Sequence, residues 1–129
     1  MIFLDTSAIY ALADQGDPHH TEAIKKFDAA LKGGEQFLTH NYILVECAAL
    51  LQARLGLEAA LLLLQEAHAF HIEWIDAVLH REAAQELKKI GKRGISLVDC
   101  ASFVVMRRRG IQKALAFDSD FQDQGFIIY

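Results

Sequence analysis

Two hydrophobic patterns take turns along the 129-residue chain: short continuous apolar runs, and longer stretches in which apolar positions recur at three- and four-residue spacing. The first run, Met1 to Leu4, has β-branched and aromatic character and predicts a buried strand stopping at Asp5. Thr6 to Ala13 follows as a short helix with Ala8, Ile9, Ala11 and Leu12 apolar, and Asp14 to Pro18 is a turn with Pro18 suited to a first helical position. His19 to Lys32 reads as an amphipathic surface helix stopped by Gly33-Gly34. Gln36 to Thr39 is a strand, and Asn41 caps a long helix from Tyr42 to about Leu55, closed by Gly56. Leu57 to Phe70 is a further helix whose run Leu61 to Leu64 leaves no polar side over a full turn, so it is central to the core or meets a partner. Ile72 to Ile75 is a third strand, and Ala77 to Ile90 a helix ending in Lys88-Lys89 beside Gly91. After the basic loop Lys92, Arg93 and Gly94, Ser96 opens a helix that runs to Arg109 before Gly110. Ala114 to Phe117 and Phe126 to Ile128 are the fourth and fifth strands.

Strands alternating with helices predict a three-layer α/β/α fold around a central, mostly parallel sheet of about five strands. The length fits one domain, residues 1–129, and suffices to bury a core without disulfides or structural metals. A hydrophobic content of 53% with a single proline adds compactness and short connections to that picture. The most apolar region, Tyr42 to Leu64, is interrupted by Glu46, Arg54, Gly56 and Glu58, so no membrane span is expected there. Met1 opens no basic leader, and a cytoplasmic protein is the expectation. Cys47 and Cys100 read as buried, inert thiols, and the six histidines have no zinc-binding spacing.

Charge changes the picture more. The formal net charge of −4 argues at first sight against a nucleic-acid partner, yet the acids fall at telling places. In a parallel sheet ligands sit beyond the carboxyl ends of the strands. Asp5 and Asp118 end strands, Asp99 opens a helix at what should be the same edge, and Glu46 enters from the helix after the second strand. Each has a structural reading too: Asp5 caps the helix at Thr6, Asp99 completes a capping box with Ser96, and Glu46 reaches water at the edge of an apolar face. Four carboxylates from four segments, none beside a basic residue, would repel one another if they converged without a counter-ion. A divalent cation resolves this, and oxygen-only ligation suits Mg²⁺ or Mn²⁺, which are completed by waters and phosphate oxygens. That is the chemistry of phosphodiester hydrolysis.

Leu4-Asp5-Thr6-Ser7, Glu46 in the third helix, Ser96-Leu97-Val98-Asp99 and Ala116-Phe117-Asp118-Ser119-Asp120-Phe121 together resemble the PIN-domain ribonucleases, over the whole chain and in order. Among them the chain is most similar to the single-domain VapC-type toxins of toxin-antitoxin pairs. The resemblance implies an endoribonuclease using Mg²⁺ or Mn²⁺ held by Asp5, Glu46, Asp99 and Asp118, with Thr6 or Ser7 in support and a cognate antitoxin as partner. Two departures stand out: Ala116 occupies a position where many members have Thr, and Asp120 is an alternative or supporting ligand to Asp118. RNA would be gripped by Lys92 and Arg93; Arg107, Arg108 and Arg109 fan too widely around their helix to face one RNA together. The excess apolar surface around Leu61 to Leu64 suggests a homodimer or an antitoxin-binding face. A phospho-receiver module would need an acceptor Asp at the end of a mid-chain strand, and a haloacid-dehalogenase-type phosphatase an Asp-x-Asp after the first; neither is present. A PIN fold acting in RNA maturation, or one acting only as a binding partner, is the remaining alternative.

Overall fold

A computed structural model describes all residues, 1–129. Five strands form one sheet in the order β3-β2-β1-β4-β5, every pairing parallel: β1 (Ile2–Leu4), β2 (Phe37–His40), β3 (His71–Glu73), β4 (Lys113–Leu115) and β5 (Ile127–Ile128). Seven α-helices connect them: α1 (Thr6–Ala13), α2 (His20–Lys32), α3 (Asn41–Leu55), α4 (Leu57–Glu66), α5 (Ala77–Ile90), α6 (Leu97–Arg109) and α7 (Asp120–Asp123). In the α1 to α4 half, α1 packs on α2 and α3, and α3 on α4; α5 and α6 pack on each other. With right-handed crossovers, connections that step toward β3 and connections that return toward β5 lie on opposite faces, which makes the α/β/α sandwich.

The central strand explains why Ile2, Phe3 and Leu4 form an unbroken apolar run: all three are fully buried, covered by helices on both faces. Around them Phe103, Phe121, Leu38, Ile43, Leu51, Met106 and Leu115 are fully buried as well. The chain leaves β1 toward β2 and leaves β4 toward β5, in opposite directions. A crevice therefore opens beyond the carboxyl ends of β1 and β4, at the switch point where such sheets bind ligands.

Helix ends follow their local chemistry closely. Ser96 caps α6, and Gly91 and Gly110 close α5 and α6 at φ 63° and 65°, left-handed conformations that a Cβ would strain. Strand ends depart from the hydrophobic pattern because side chains from other elements capture their backbone. β4 stops at Leu115, not Phe117, since the Phe117 N–H donates to Ser7 Oγ at 3.0 Å. β3 stops at Glu73, not Ile75, since the Ile75 N–H donates to Asn41 Oδ1 at 2.6 Å. Asn41, thus engaged, does not cap α3; His40 does, its Nδ1 accepting from the Ile43 N–H. Pro18 sits in the turn before α2, which begins at His20. The helix expected to reach Phe70 ends at Glu66 and tightens into a 3₁₀ turn, Ala67–Ala69. In the leucine run only Leu63 is buried; Leu61, Leu62 and Leu64 are half exposed.

Candidate functional site

An open depression of about 350 Å³ lies beyond the carboxyl ends of β1 and β4. Asp5, Glu46, Asp99 and Asp118 all line it, together with Thr6 and Ser7. Asp5 is there because β1 ends one residue earlier and Asp5 caps α1, so the structural reading and the site reading hold at once. Its Oδ2 accepts from the Ser7 N–H at 3.2 Å and from Ser7 Oγ at 2.7 Å. Ser7 Oγ in turn accepts from Phe117 N–H, which ties the end of β1 to the segment that carries Asp118. Burial pushes the Asp5 carboxyl up from 3.8 to about 7; the charges of Asp118 and Asp99 push the same way, against the hydrogen bonds from Ser7.

Asp99 combines two roles as well. Its Oδ2 accepts from the Ser96 N–H at 2.9 Å, its own N–H donates to Ser96 Oγ at 3.1 Å, and the capping box holds the carboxylate at the depression. Asp118 stands beyond β4, its Oδ1 accepting from the Asp120 N–H at 3.0 Å. Desolvation first, then the charges of Asp120 and Asp99, raise its pKa, while the Asp120 N–H lowers it. Asp120 opens α7 and does not line the depression, although Asp99 and Asp123 raise its pKa after desolvation and Lys92 lowers it. Lys92 and Arg93 likewise lie outside the lining, in the loop before Ser96.

Glu46 is only half buried: its neighbour Ala49 is exposed and Tyr42 half-buried, so the face read as buried is the wall of the depression. Two turns further along α3, Arg54 lines the same space, with Leu50 between them. Four-residue steps bring residues 46, 50 and 54 onto one side of a helix, a signal available in the sequence that a search for adjacent basic residues misses. Tyr10, Asp17 and His19 also line the depression and were not singled out by motif. Arg107, Arg108 and Arg109 are elsewhere, paired with Glu86, Glu82 and Glu73.

Behind the acids a buried polar bridge joins α3 to α6. His40 is fully buried, and burial lowers its pKa to about 3, so the ring is neutral. With Nδ1 accepting from Ile43, Nε2 carries the proton and donates to Ser102 Oγ at 2.9 Å, while Ser102 donates to the Val98 carbonyl. The helices that bear Glu46 and Asp99 are thereby held to each other at the site edge.

These residues suit a hard divalent cation. No lysine or arginine pairs with any of the four acids. Thr6 Oγ1 is buried beside Asp5 with no hydrogen-bond partner, the one side-chain polar atom so placed. No three acidic, histidine or cysteine side chains gather closely enough to hold a metal unaided. Mg²⁺ asks for less than that, because it is bound through one or two carboxylates with waters and substrate phosphates completing its shell.

The family model for the PIN domain matches residues 2–127. The chain is 38% identical over 129 residues to the 23S rRNA-specific endonuclease VapC20 of Mycobacterium tuberculosis, in two strains, covering 98% of this chain and 96% of that protein. The crystal structure of M. tuberculosis VapC20, described as a sarcin-ricin loop cleaving toxin, superposes with a TM-score of 0.86 at 35% identity, over 98% of this chain and 97% of that one. FitAcB from Neisseria gonorrhoeae shares the fold, with a TM-score of 0.69 at 15% identity over 100% of this chain and 96% of that one.

Proposed function

The chain belongs to the PIN-domain family, and on that footing we propose that it is an endoribonuclease, the toxin of a toxin-antitoxin pair, cutting a structured loop of ribosomal RNA with Mg²⁺ or Mn²⁺. The observation that carries the reading is the meeting of Asp5, Glu46, Asp99 and Asp118, from four separate segments, around one depression at the sheet's switch point. The relative's specificity for 23S rRNA supports the substrate class. A cation bound among these acids would lower the pKa of a water and neutralise charge on the departing oxygen.

The chain's own residues do the rest. Asp5, buried and raised toward neutrality, and Asp118 are carboxylates that gain most from a positive charge, because ionising them together without one is costly. Ser7 fixes the Asp5 carboxylate and the Phe117 backbone in one step, so the distance between the β1 and β4 acids is set by a hydrogen-bonded link. Asp99 is oriented by its cap and Glu46 by the α3 that His40 anchors. Thr6 Oγ1 supplies a further oxygen without a protein partner. The cognate antitoxin is the protein partner of this reading, and Lys92 and Arg93 flank the site as RNA-contacting cations.

The test is cleavage of a synthetic sarcin-ricin stem-loop by the purified protein. Cutting in Mn²⁺ or Mg²⁺ that stops with chelator, with no 2′,3′-cyclic phosphate ends, is the expected result. Undiminished cutting in excess EDTA, or cyclic phosphate products, would establish acid-base ribonuclease chemistry instead.

A further inference from the structure

The rim of the depression carries two features that the acid chemistry leaves unused. Arg54 is the one lysine or arginine among the lining residues, against the carboxylates of Asp5, Asp17, Glu46, Asp99 and Asp118. Its guanidinium lies over the Tyr10 ring, 5.1 Å from the centroid, and enters none of the protein's ion pairs. Tyr10 is itself buried and fixed, its hydroxyl donating to Asp14 Oδ2 at 2.6 Å. The contrast with Arg107, Arg108 and Arg109 is direct, since each of those is occupied by a glutamate. A guanidinium held over the Tyr10 ring and drawn toward the Tyr10 hydroxyl, with no carboxylate in salt-bridge contact, keeps N–H donors for a phosphate.

The second feature is a stacked pair. The exposed His19 ring lies parallel to Phe117, with centroids 4.5 Å apart and planes 9° from parallel, and lines the same depression. Phe117 is held by its N–H on Ser7 and lies 5.8 Å from the Lys26 ammonium, so the platform is rigid at its base and open at His19. A flat aromatic surface left exposed beside a phosphodiester site offers a nucleobase a stacking partner without reading its edge.

We infer that this rim is the RNA-positioning subsite: Arg54 holds a backbone phosphate beside the scissile one, and the His19–Phe117 stack receives a neighbouring unpaired base. The inference rests on the ribonuclease reading for its substrate. It assigns the grip chiefly to residues of α3 and the turn before α2, ahead of the Lys92–Arg93 loop. In a depression so rich in carboxylate, a fixed cation is what keeps the phosphates beside the reacting one from being repelled.

Two measurements on the same stem-loop RNA decide it: affinity in EDTA across a salt series, and steady-state cleavage in Mn²⁺. Arg54→Gln should weaken binding about tenfold, flatten the slope of log affinity against log salt by about 0.7, and raise KM with kcat little changed. His19→Ala should weaken binding about fivefold at unchanged salt slope, and His19→Trp should restore it. Both side chains are exposed, so melting temperatures should stay near wild type. Wild-type affinity and KM in Arg54→Gln and His19→Ala would overturn the inference while leaving the ribonuclease reading intact. Weakened RNA binding in both variants with no cleavage by any protein, wild type included, would overturn the ribonuclease reading and leave the RNA-holding rim standing.

Discussion

Burial takes the Asp5 carboxyl out of water and leaves it Ser7 as a hydrogen-bonding partner and two other acids as electrostatic neighbours. A carboxylic acid raised in the folded state, from 3.8 to about 7, holds more protons folded than unfolded between those values. Without metal the protein is therefore most stable, as far as this group is concerned, below about pH 4, and loses on the order of 4 kcal/mol as pH rises to about 7. Denaturant melts across that range should show the decline in wild type and a flatter profile in Asp5→Asn; parallel profiles would show that Asp5 is not raised. Mn²⁺ should reverse the trend, stabilising the protein more at pH 8 than at pH 6, because proton and metal compete for the same carboxylate. Asp99 separates two contributions in the same way. Asp99→Asn keeps an oxygen for the Ser96 N–H but loses charge at a helix N-terminus, while relieving the repulsion it exerts on Asp5, Asp118 and Asp120. Stability should stay within about 1 kcal/mol of wild type, with cleavage and Mn²⁺-induced stabilisation both lost. A destabilised variant that cuts at the wild-type rate would reduce Asp99 to a cap.

At the scale of elements, the arginines at the end of α6 are joinery. Arg107 and Arg109 meet Glu86 and Glu73 at 3.1 and 2.8 Å, and Arg108 pairs with Glu82, so the row fastens α6 to α5 and to β3. With each arginine side chain between 44 and 49% exposed, the pairs are each worth no more than about 1 kcal/mol. Replacing all three with Gln should cost stability modestly and leave the KM for RNA unchanged, the opposite of Arg54→Gln; a raised KM would return them to the RNA interface. The elements themselves were largely legible. The helices announced by Ser or Gly at their ends, α5 and α6 above all, run between the expected residues, because capping is local chemistry. The strand ends did not, because β4 and β3 are terminated by Ser7 and Asn41, residues distant in sequence. For the same reason His40 and not Asn41 caps α3, and the His40–Ser102 link, between residues 62 positions apart, had no local signal. Of the depression, the motif acids were readable and their approach to one another was inferable from topology. Tyr10 and the His19–Phe117 stack were not, since their meaning comes from what they face, and Arg54 was readable only through its four-residue steps from Glu46.

The whole molecule is a small acidic domain with a run of exposed leucines in one stretch of the chain. Leu55, Leu57, Leu61, Leu62 and Leu64 are each about half exposed along the end of α3 and α4. Exposed leucines so concentrated favour an interface, and a homodimer in solution is the expected outcome. Light scattering on the isolated protein should give twice the chain mass, falling to one with Leu61→Glu; a monomer at tens of micromolar would mean that the leucines only roof the core. No helix is long and apolar enough to cross a membrane. The net charge of −4 would discourage RNA if it were spread evenly, but part of it is concentrated where a bound cation would offset it. The most direct test of that concentration is the Mn²⁺-dependent cleavage rate of one RNA stem-loop by wild type and by Asp5→Asn, Glu46→Gln, Asp99→Asn and Asp118→Asn, each confirmed folded by its melt. Every one of the four should lose about a hundredfold or more in rate, since the carboxylates that do not bind the cation directly would hold its waters in place. Wild-type rates in any two of them would contradict a site built from the four acids together.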